Sequence, residues 1–268
     1  MNIQNITIGQ YMPGDSCVHR LDPRNKLLLT LVYIVGIFLV KAYPMFLLAA
    51  LLVLFCAWLA KIPIPYLARG LKPLRFLLIF TLLLQLLMSG GEDTLFQFGF
   101  IRATWSGFHR AIFFSVRLIL LVLGTSVLTL TTSPITLTDG LERLLSPLRA
   151  IRFPAHEMAM IMTIALRYIP TLLEETDKIM KAQSARGADF ETGNLLNRAK
   201  AMVPLLVPLF ISAFRRAADL AMAMEARCYH GGEGRTRMRV LRFGAMDYVA
   251  AAVMLCFVAL IALGGILA

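Results

Sequence analysis

The sequence predicts an all-α, polytopic membrane protein with about five transmembrane helices and long amphipathic helices on the cytosolic side of the membrane. Hydrophobic residues make up 58% of the chain and charged residues 16%, whereas soluble domains average about 45–50% and about 25%. The apolar residues are concentrated in long runs. Between the fourth and fifth runs lies a charged region with helical periodicity. The predicted architecture is therefore a membrane domain interrupted by a cytosolic helical region.

Five apolar runs are candidates for membrane-spanning helices. They cover residues 27–40, 45–60, 74–88, 111–132 and 248–268. A helix that crosses the hydrocarbon core needs about 20 mostly apolar residues. The fourth and fifth runs meet this length directly, whereas the first three reach it only with interfacial neighbours or local thinning of the bilayer.

These runs divide the chain into four predicted segments. The first is a cytosolic N-terminal segment, and the second is a membrane domain with four transmembrane helices. A cytosolic helical region and a C-terminal transmembrane helix follow. The boundaries are 1–26, 27–133, 134–245 and 246–268.

Positive charges predict the orientation of the chain in the plasma membrane. Arg20, Arg24 and Lys26 precede the first run, and further basic residues lie between the second and third, so both segments are expected in the cytosol. Five crossings then give a cytosolic N-terminus and an external C-terminus. No signal peptide is evident in the first 26 residues, so the first spanning helix is expected to act as the insertion signal.

The net charge of +11 fits this cytosolic bias better than it fits nucleic-acid binding. No basic stretch carries the interleaved aromatic residues of a platform on which bases stack. We therefore expect the lipid bilayer, and no nucleic acid, among the partners.

Two long helical segments are predicted in the cytosolic region. Apolar and small residues recur at alternating steps of four and three between residues 158 and 183, which makes one helical face. Gly187 is placed to end this helix. The second segment runs from about residue 195 to residue 229. Its small alanine side chains let another backbone approach closely.

The two long helices end in similar sequences. Ala185-Arg186 lies near the end of the first, and Ala226-Arg227 near the end of the second. Taken singly, either arginine is explained by the favourable interaction of a cation with a helix C-terminus. Two matching ends on the cytosolic side instead indicate two equivalent docking points. A guanidinium group suits such a point because it binds a carboxylate with two parallel hydrogen bonds.

A membrane enzyme finds little support in the sequence. Catalysis needs a base or nucleophile in a sheltered site, but no apolar run contains Asp or Glu, and neither G-x-S-x-G nor H-E-x-x-H occurs. Cys228 and His230 alone are too few ligands for a metal site. Arg117, the only charge well inside a run, is either a functional residue or a structural one that snorkels toward the interface or pairs within the bundle. We expect no catalytic residue, no metal and no cofactor.

A secondary transporter that works alone is the other alternative. Such proteins usually show two structural repeats, and five crossings do not divide into halves. The chain also contains no Gly-Lys dipeptide and hence no P-loop. Its energy source is therefore expected to be another polypeptide.

Several stretches carry a family resemblance. They are residues 139–148 (DGLERLLSPL), 156–160 (HEMAM), 185–190 (ARGADF), 223–227 (AMEAR) and 231–236 (GGEGRT). Together they resemble the transmembrane T subunit of energy-coupling factor (ECF) transporters. The resemblance is close from about residue 131 to residue 239. In the N-terminal part it is a resemblance of hydrophobic pattern only.

This resemblance implies a division of labour in an ECF-type ABC importer for vitamins or other micronutrients. Two ABC-type ATPase subunits hydrolyse ATP, and a small membrane subunit, the S component, binds the substrate. The T subunit is not an enzyme. Through its coupling helices it transmits the ATP-driven movements of the ATPases to the S component.

The family's docking motif is a short Ala-Arg-Gly sequence, one for each ATPase. By position it assigns Ala185, Arg186 and Gly187 to one site, and Ala226, Arg227 and Cys228 to the other. Cys228 stands where the pattern has glycine. This argues against a left-handed backbone at that position, though not against the arginine contact.

The methionine-rich and alanine-rich faces of the two helices are candidates for contact with the S component. Methionine repacks against different surfaces and suits adaptable interfaces. Packing of the two helices against each other explains these faces equally well. The residues assigned to the interface are Met158, Met162, Ala165, Ala217, Ala221 and Met224.

Overall fold

The computed structural model describes residues 11–88, 94–98, 101–151, 153–188, 190, 195–231 and 241–267. Helices dominate them, which confirms the predicted all-α class. In chain order the elements are α1 (Cys17–Arg20), α2 (Pro23–Leu39), α3 (Tyr43–Leu59), α4 (Ile64–Arg69), α5 (Arg75–Met88), β1 (Thr94–Phe98), β2 (Ile101–Thr104), α6 (Trp105–Thr131), α7 (Pro134–Leu145), a 3-10 helix (Ser146–Ile151), α8 (Ala155–Ala185), α9 (Leu195–Glu225) and α10 (Ala245–Leu267).

A short hairpin precedes α6, in the segment that joins the third and fourth apolar runs. Its strands β1 and β2 pair antiparallel, with Phe98 opposite Ile101 and Thr94 opposite Thr104. The sequence analysis did not predict this element. It is a small addition to an otherwise helical chain.

Among the described residues, two helical segments are long and apolar enough to cross a bilayer. They are Gly107–Thr131 in α6 and Ala245–Gly265 in α10, which correspond to the fourth and fifth predicted runs. The apolar helices Tyr43–Leu59 and Arg75–Gln85 are shorter. The count of five crossings stays a prediction.

The chain divides into two compact units. One comprises residues 9–141 and 240–268, and the other includes residues 142–239. The boundaries of the four segments predicted above stay predictions. In the first unit, α6 packs against α2, α3, α4 and α5, and α10 packs against α2 and α3. The buried core of this bundle includes Ile37, Ala49, Val53, Leu120 and Ile261.

Buried polar groups join the start of α2 to the start of α10. The Asp247 carboxylate accepts hydrogen bonds from the backbone N–H of Asp22 at 2.9 Å and from the backbone N–H of Gly244 at 2.8 Å. Asn25 Nδ2 donates to the backbone carbonyl of Asp247 at 2.8 Å. Asp22 itself accepts from the backbone N–H of Arg24, and thereby caps α2. We call these contacts the Asp247 clasp.

Lys26 ties the same end of the bundle to α6. Its Nζ donates to the carbonyl oxygens of His19 at 3.1 Å and Thr131 at 3.0 Å, and to Thr132 Oγ1 at 3.3 Å. Burial lowers the pKa of Lys26 to about 8, and the Asp247 carboxylate opposes part of this shift. Thr131 is the last residue of α6, so Lys26 satisfies a carbonyl that has no intrahelical donor.

Arg117 also makes contacts inside the bundle. Its Nη2 donates to the carbonyl of Val40 at 2.7 Å, and its guanidinium lies 5.0 Å from the ring centroid of Phe113. Val40 follows the last residue of α2, so this carbonyl too lacks a helical donor. These contacts support pairing within the bundle over a direct role in transport.

Replacing Asp247 by alanine should weaken the bundle. The change leaves the buried backbone donor of Asp22 and the donor of Gly244 without acceptors, at a combined cost of roughly 2–4 kcal/mol. Thermal unfolding of the protein in mild detergent measures the loss. Asp219→Ala is the matched control, because Asp219 is exposed on α9. Equal stability of the two variants would show that the Asp247 clasp contributes nothing.

Candidate functional site

Helices α8 and α9 run antiparallel, and side-chain contacts connect them. Arg216 Nη2 lies 2.7 Å from Glu175 Oε2 in a partly buried ion pair. Farther along, Gln183 Nε2 lies 3.5 Å from the carbonyl oxygen of Pro204. That carbonyl lacks its helical donor because the residue four positions later is Pro208, which has no N–H. The Gln183 side chain therefore lies near a backbone carbonyl that has no helical hydrogen-bond donor.

At the C-terminus of α8, the backbone closes in a Schellman motif. The N–H of Gly187 donates to the carbonyl of Ser184, and the N–H of Ala188 donates to the carbonyl of Gln183, both at 3.0 Å. Gly187 has a φ of 89°, which is the left-handed conformation that this motif requires. Arg186 occupies the capping position just before it.

The C-terminus of α9 repeats this geometry residue by residue. The N–H of Cys228 donates to the carbonyl of Glu225 at 2.8 Å, and the N–H of Tyr229 donates to the carbonyl of Met224 at 3.0 Å. Cys228 has a φ of 54°. The expectation that its side chain argues against a left-handed backbone was therefore wrong. A left-handed conformation costs a non-glycine residue about 1–2 kcal/mol, and the two cap hydrogen bonds offset this cost.

Both helix ends present their motif residues to solvent. Ala185, Arg186 and Gly187 are exposed, and so are Ala226, Arg227 and Cys228. Within the described part of the chain, neither arginine side chain has an ion-pair or hydrogen-bond partner. The structure thus gives the two arginines the same backbone setting and leaves both guanidinium groups available to a partner.

The second candidate surface is apolar. Met158 and Met162 are 48% and 50% exposed, and Ala165, Ala217 and Ala221 are exposed as well, whereas Met224 is half-buried. Packing of α8 against α9 therefore does not cover most of these positions. Neighbouring exposed apolar side chains on the same two helices are Ile161, Val207, Phe210, Phe214 and Met222.

Two polar contacts of this unit were not foreseen. One is the ion pair of Glu175 with Arg216. The other is the contact of His156 Nδ1 with Glu142 Oε1 at 2.9 Å, which ties the start of α8 to the last turn of α7. The opposite charges of Glu175 and Arg216 were visible, but only the antiparallel packing shows that they meet.

Comparison with known proteins places the chain in a family. A family model described as CbiQ, cobalt transport protein, matches residues 14–238. The chain is 54% identical to the energy-coupling factor transporter transmembrane protein EcfT of Clostridium kluyveri over 249 residues, 92% of each chain. The protein of the same name from Bacillus subtilis is 49% identical over 245 residues, 91% of this chain and 92% of the relative.

The chain belongs to the EcfT family. It is thus a transmembrane component of an energy-coupling factor transporter, as the resemblance implied. The family match also extends the resemblance, which was close only from about residue 131. The CbiQ family model begins at residue 14, so the family relation includes Asp22, Asn25 and Lys26 of the bundle.

The two helix ends of this EcfT chain should respond differently to the same kind of substitution. An added Cβ at Gly187 would meet no atom within 4 Å. The free-energy cost of Gly187→Val to the helix cap therefore arises from the backbone conformation alone. That cost should be about 2 kcal/mol or more, because a β-branched residue disfavours positive φ. Cys228→Gly should be neutral or should stabilise the cap by up to about 1 kcal/mol.

Hydrogen exchange at the capping amides measures both effects. Gly187→Val should speed exchange at the amide of Ala188, while Cys228→Gly leaves the exchange of Tyr229 unchanged or slower. Faster exchange of Tyr229 in Cys228→Gly would mean that the cysteine side chain itself holds the α9 cap.

Proposed function

We propose that the chain is the energy-coupling scaffold of an ECF-type ABC importer, in complex with two ABC-type ATPase subunits and one small substrate-binding S component. It transmits the ATP-driven movements of the ATPases to the S component for uptake of a vitamin or other micronutrient. The observation that carries this proposal is the repeated cap at the ends of α8 and α9, each with an exposed arginine that has no ion-pair partner among the described residues. The names of the relatives contain the term energy-coupling factor.

The caps suit docking because they fix the arginine without using its side chain. In both motifs the hydrogen bonds are made by backbone groups alone. The position of Arg186 or Arg227 relative to its helix end is therefore fixed while its guanidinium stays free. The exposed alanine before each arginine allows the partner's backbone to approach closely. Each ATPase would supply a groove with an acidic side chain.

ATP hydrolysis belongs to the partners in this proposal. The sequence contains no Gly-Lys dipeptide and so no P-loop. The chain itself is non-catalytic and uses no cofactor.

The proposed location is the plasma membrane, with the N-terminus and the unit of α8 and α9 in the cytosol and the C-terminus outside. The basic residues before the first apolar run and between α3 and α5 support this orientation. Cys228 is exposed, and labelling of this thiol by an impermeant reagent in intact cells would contradict the orientation.

Reversing the arginine charges should break the coupling. Arg186→Glu and Arg227→Glu should each weaken ATPase docking by about 2–5 kcal/mol, because each places like charges opposite one another and leaves a partner group unpaired. The double variant should lose far more, since two linked contacts raise each other's effective concentration. The measurements are co-purification of the ATPases and substrate uptake.

Arg167→Glu on α8 and Arg215→Glu on α9 are the matched controls. Both residues are exposed and lie away from the helix ends, so their reversal makes the same change in net charge. If the double variant of Arg186 and Arg227 assembles and transports as the controls do, the helix ends are not the docking sites.

The exposed apolar face is proposed as the contact with the S component. A tryptophan at Ala165 or Ala221 should release the S component, because a bulky side chain on a close-packed face prevents approach, while the ATPases stay bound. Ala223→Trp is the control, since position 223 lies about 200° around the helix from position 221 and is also exposed. Joint loss of the S component and the ATPases would indicate misfolding and contradict a separate interface.

A further inference from the structure

The membrane bundle contains an apolar cavity of about 370 Å³ that the proposed function does not use. Most of its lining comes from residues 26–33 of α2, 52–59 of α3, 124–131 of α6 and 246–254 of α10, and Val18 of α1 and Leu21 complete it. The four ranges are the first halves of α2 and α10 and the last parts of α3 and α6. The cavity therefore lies in one half of the bundle, at the end that carries the Asp247 clasp.

The polar side chains that border the cavity are already engaged by the protein. Tyr33 donates to the carbonyl of Leu120 at 2.9 Å, Thr30 to the carbonyl of Lys26 at 2.8 Å and Thr131 to the carbonyl of Val127 at 2.7 Å. The Lys26 ammonium group makes three hydrogen bonds of its own. A ligand that needs hydrogen bonds would find few partners here, and a water molecule needs two to four.

An empty cavity of this size is also unfavourable. The atoms that line a void lose dispersion contacts on that side, and the cost grows with the volume. An apolar occupant removes this cost, whereas water does not. The chemistry of the lining therefore selects hydrocarbon.

The exposed lining residues show where hydrocarbon would enter. On α3, Phe55 is 51% exposed, and on α10, Val249 and Val253 are 58% and 44% exposed. The lining residues of α2 and α6 are all buried or half-buried. The cavity thus opens sideways between α3 and α10. The α10 side of this opening belongs to a segment that is apolar enough to cross the bilayer, so the opening faces lipid tails.

We propose that the cavity binds one acyl chain of a phospholipid, which enters between α3 and α10 from the membrane leaflet on the side of the Asp247 clasp. The chain packs between Val53 and Cys56 of α3 and Ala250 of α10. The lipid serves as a structural ligand of the bundle and fills a volume that the protein's own side chains leave open.

Photolabelling in the assembled complex tests the proposal. The complex is reconstituted in phosphatidylcholine and phosphatidylglycerol vesicles that contain a small fraction of phospholipid with a diazirine midway along one acyl chain. After illumination, peptide mass spectrometry maps the adducts. Val53 and Cys56 should be labelled, although Val53 is only 4% exposed. Ala49, which is buried on the same helix but does not line the cavity, should not.

A paired substitution then separates the cavity from the lipid-facing surface. Ala250→Phe places a ring in the cavity and should remove the adducts at Val53 and Cys56. Ala252→Phe makes the same change at an exposed position of α10 that does not line the cavity, and should leave them. Labelling of the exposed Leu54 should be the same in both variants, which shows that the helix remains folded in the bilayer.

Two results would overturn the proposal. One is equal labelling of Val53 and Ala49 in the wild-type complex, which needs no substitution and does not depend on how Ala250→Phe folds. The other is labelling of Val53 in the isolated chain that disappears when the partner subunits are present. That result would assign the cavity to a side chain of a partner protein.

Discussion

The contact between the start of α2 and the start of α10 is the one on which the rest of the bundle depends. Through Asp247 it joins segments 225 residues apart in sequence. The start of α2 also contacts the two places where the chain leaves and re-enters the bundle. An added Cβ at Gly140 would lie 3.0 Å from Pro23, so a larger residue there would require the start of α2 to shift. On the return path, Arg24 Nη2 donates to the carbonyl of Leu241 at 3.0 Å. Residues 22–26 thus contact both the place where the chain leaves the bundle and the place where it returns.

The repeated cap explains how two different sequences can present the same backbone element at the ends of α8 and α9. The motif is defined by backbone hydrogen bonds and one left-handed residue. It therefore fixes the positions of the backbone atoms but only weakly restricts which side chains can occur. Glycine at 187 and cysteine at 228 satisfy it at different cost, but both place an arginine at the preceding position. What the two helix ends share is therefore a backbone geometry, and in addition an alanine and an arginine before the left-handed residue.

Local patterns in the sequence were sufficient for the helices and for the end of α8, because helical periodicity and a glycine stop signal act over a few residues. They failed at Cys228, since the preference for glycine at positive φ is an energy difference of about 1–2 kcal/mol that cap bonds can offset. The Asp247 clasp could not be predicted at all. Asp22, Asn25 and Asp247 are ordinary polar residues at helix starts, and only the packing of α2 against α10 brings them together. The pair of Glu175 and Arg216 was hidden for the same reason.

The Asp247 clasp and the apolar cavity occupy the same end of the bundle, and Lys26 and Met246 border the cavity. A close-packed core resists deformation, because side chains that interdigitate transmit strain. A volume filled by a hydrocarbon chain resists less, since the chain can change its torsions without breaking a hydrogen bond. The Asp247 clasp is therefore a set of fixed polar contacts beside a deformable apolar volume. If the chain has the proposed coupling role, such an arrangement would let α3 and α10 move against each other while residues 22–26 keep their hydrogen bonds.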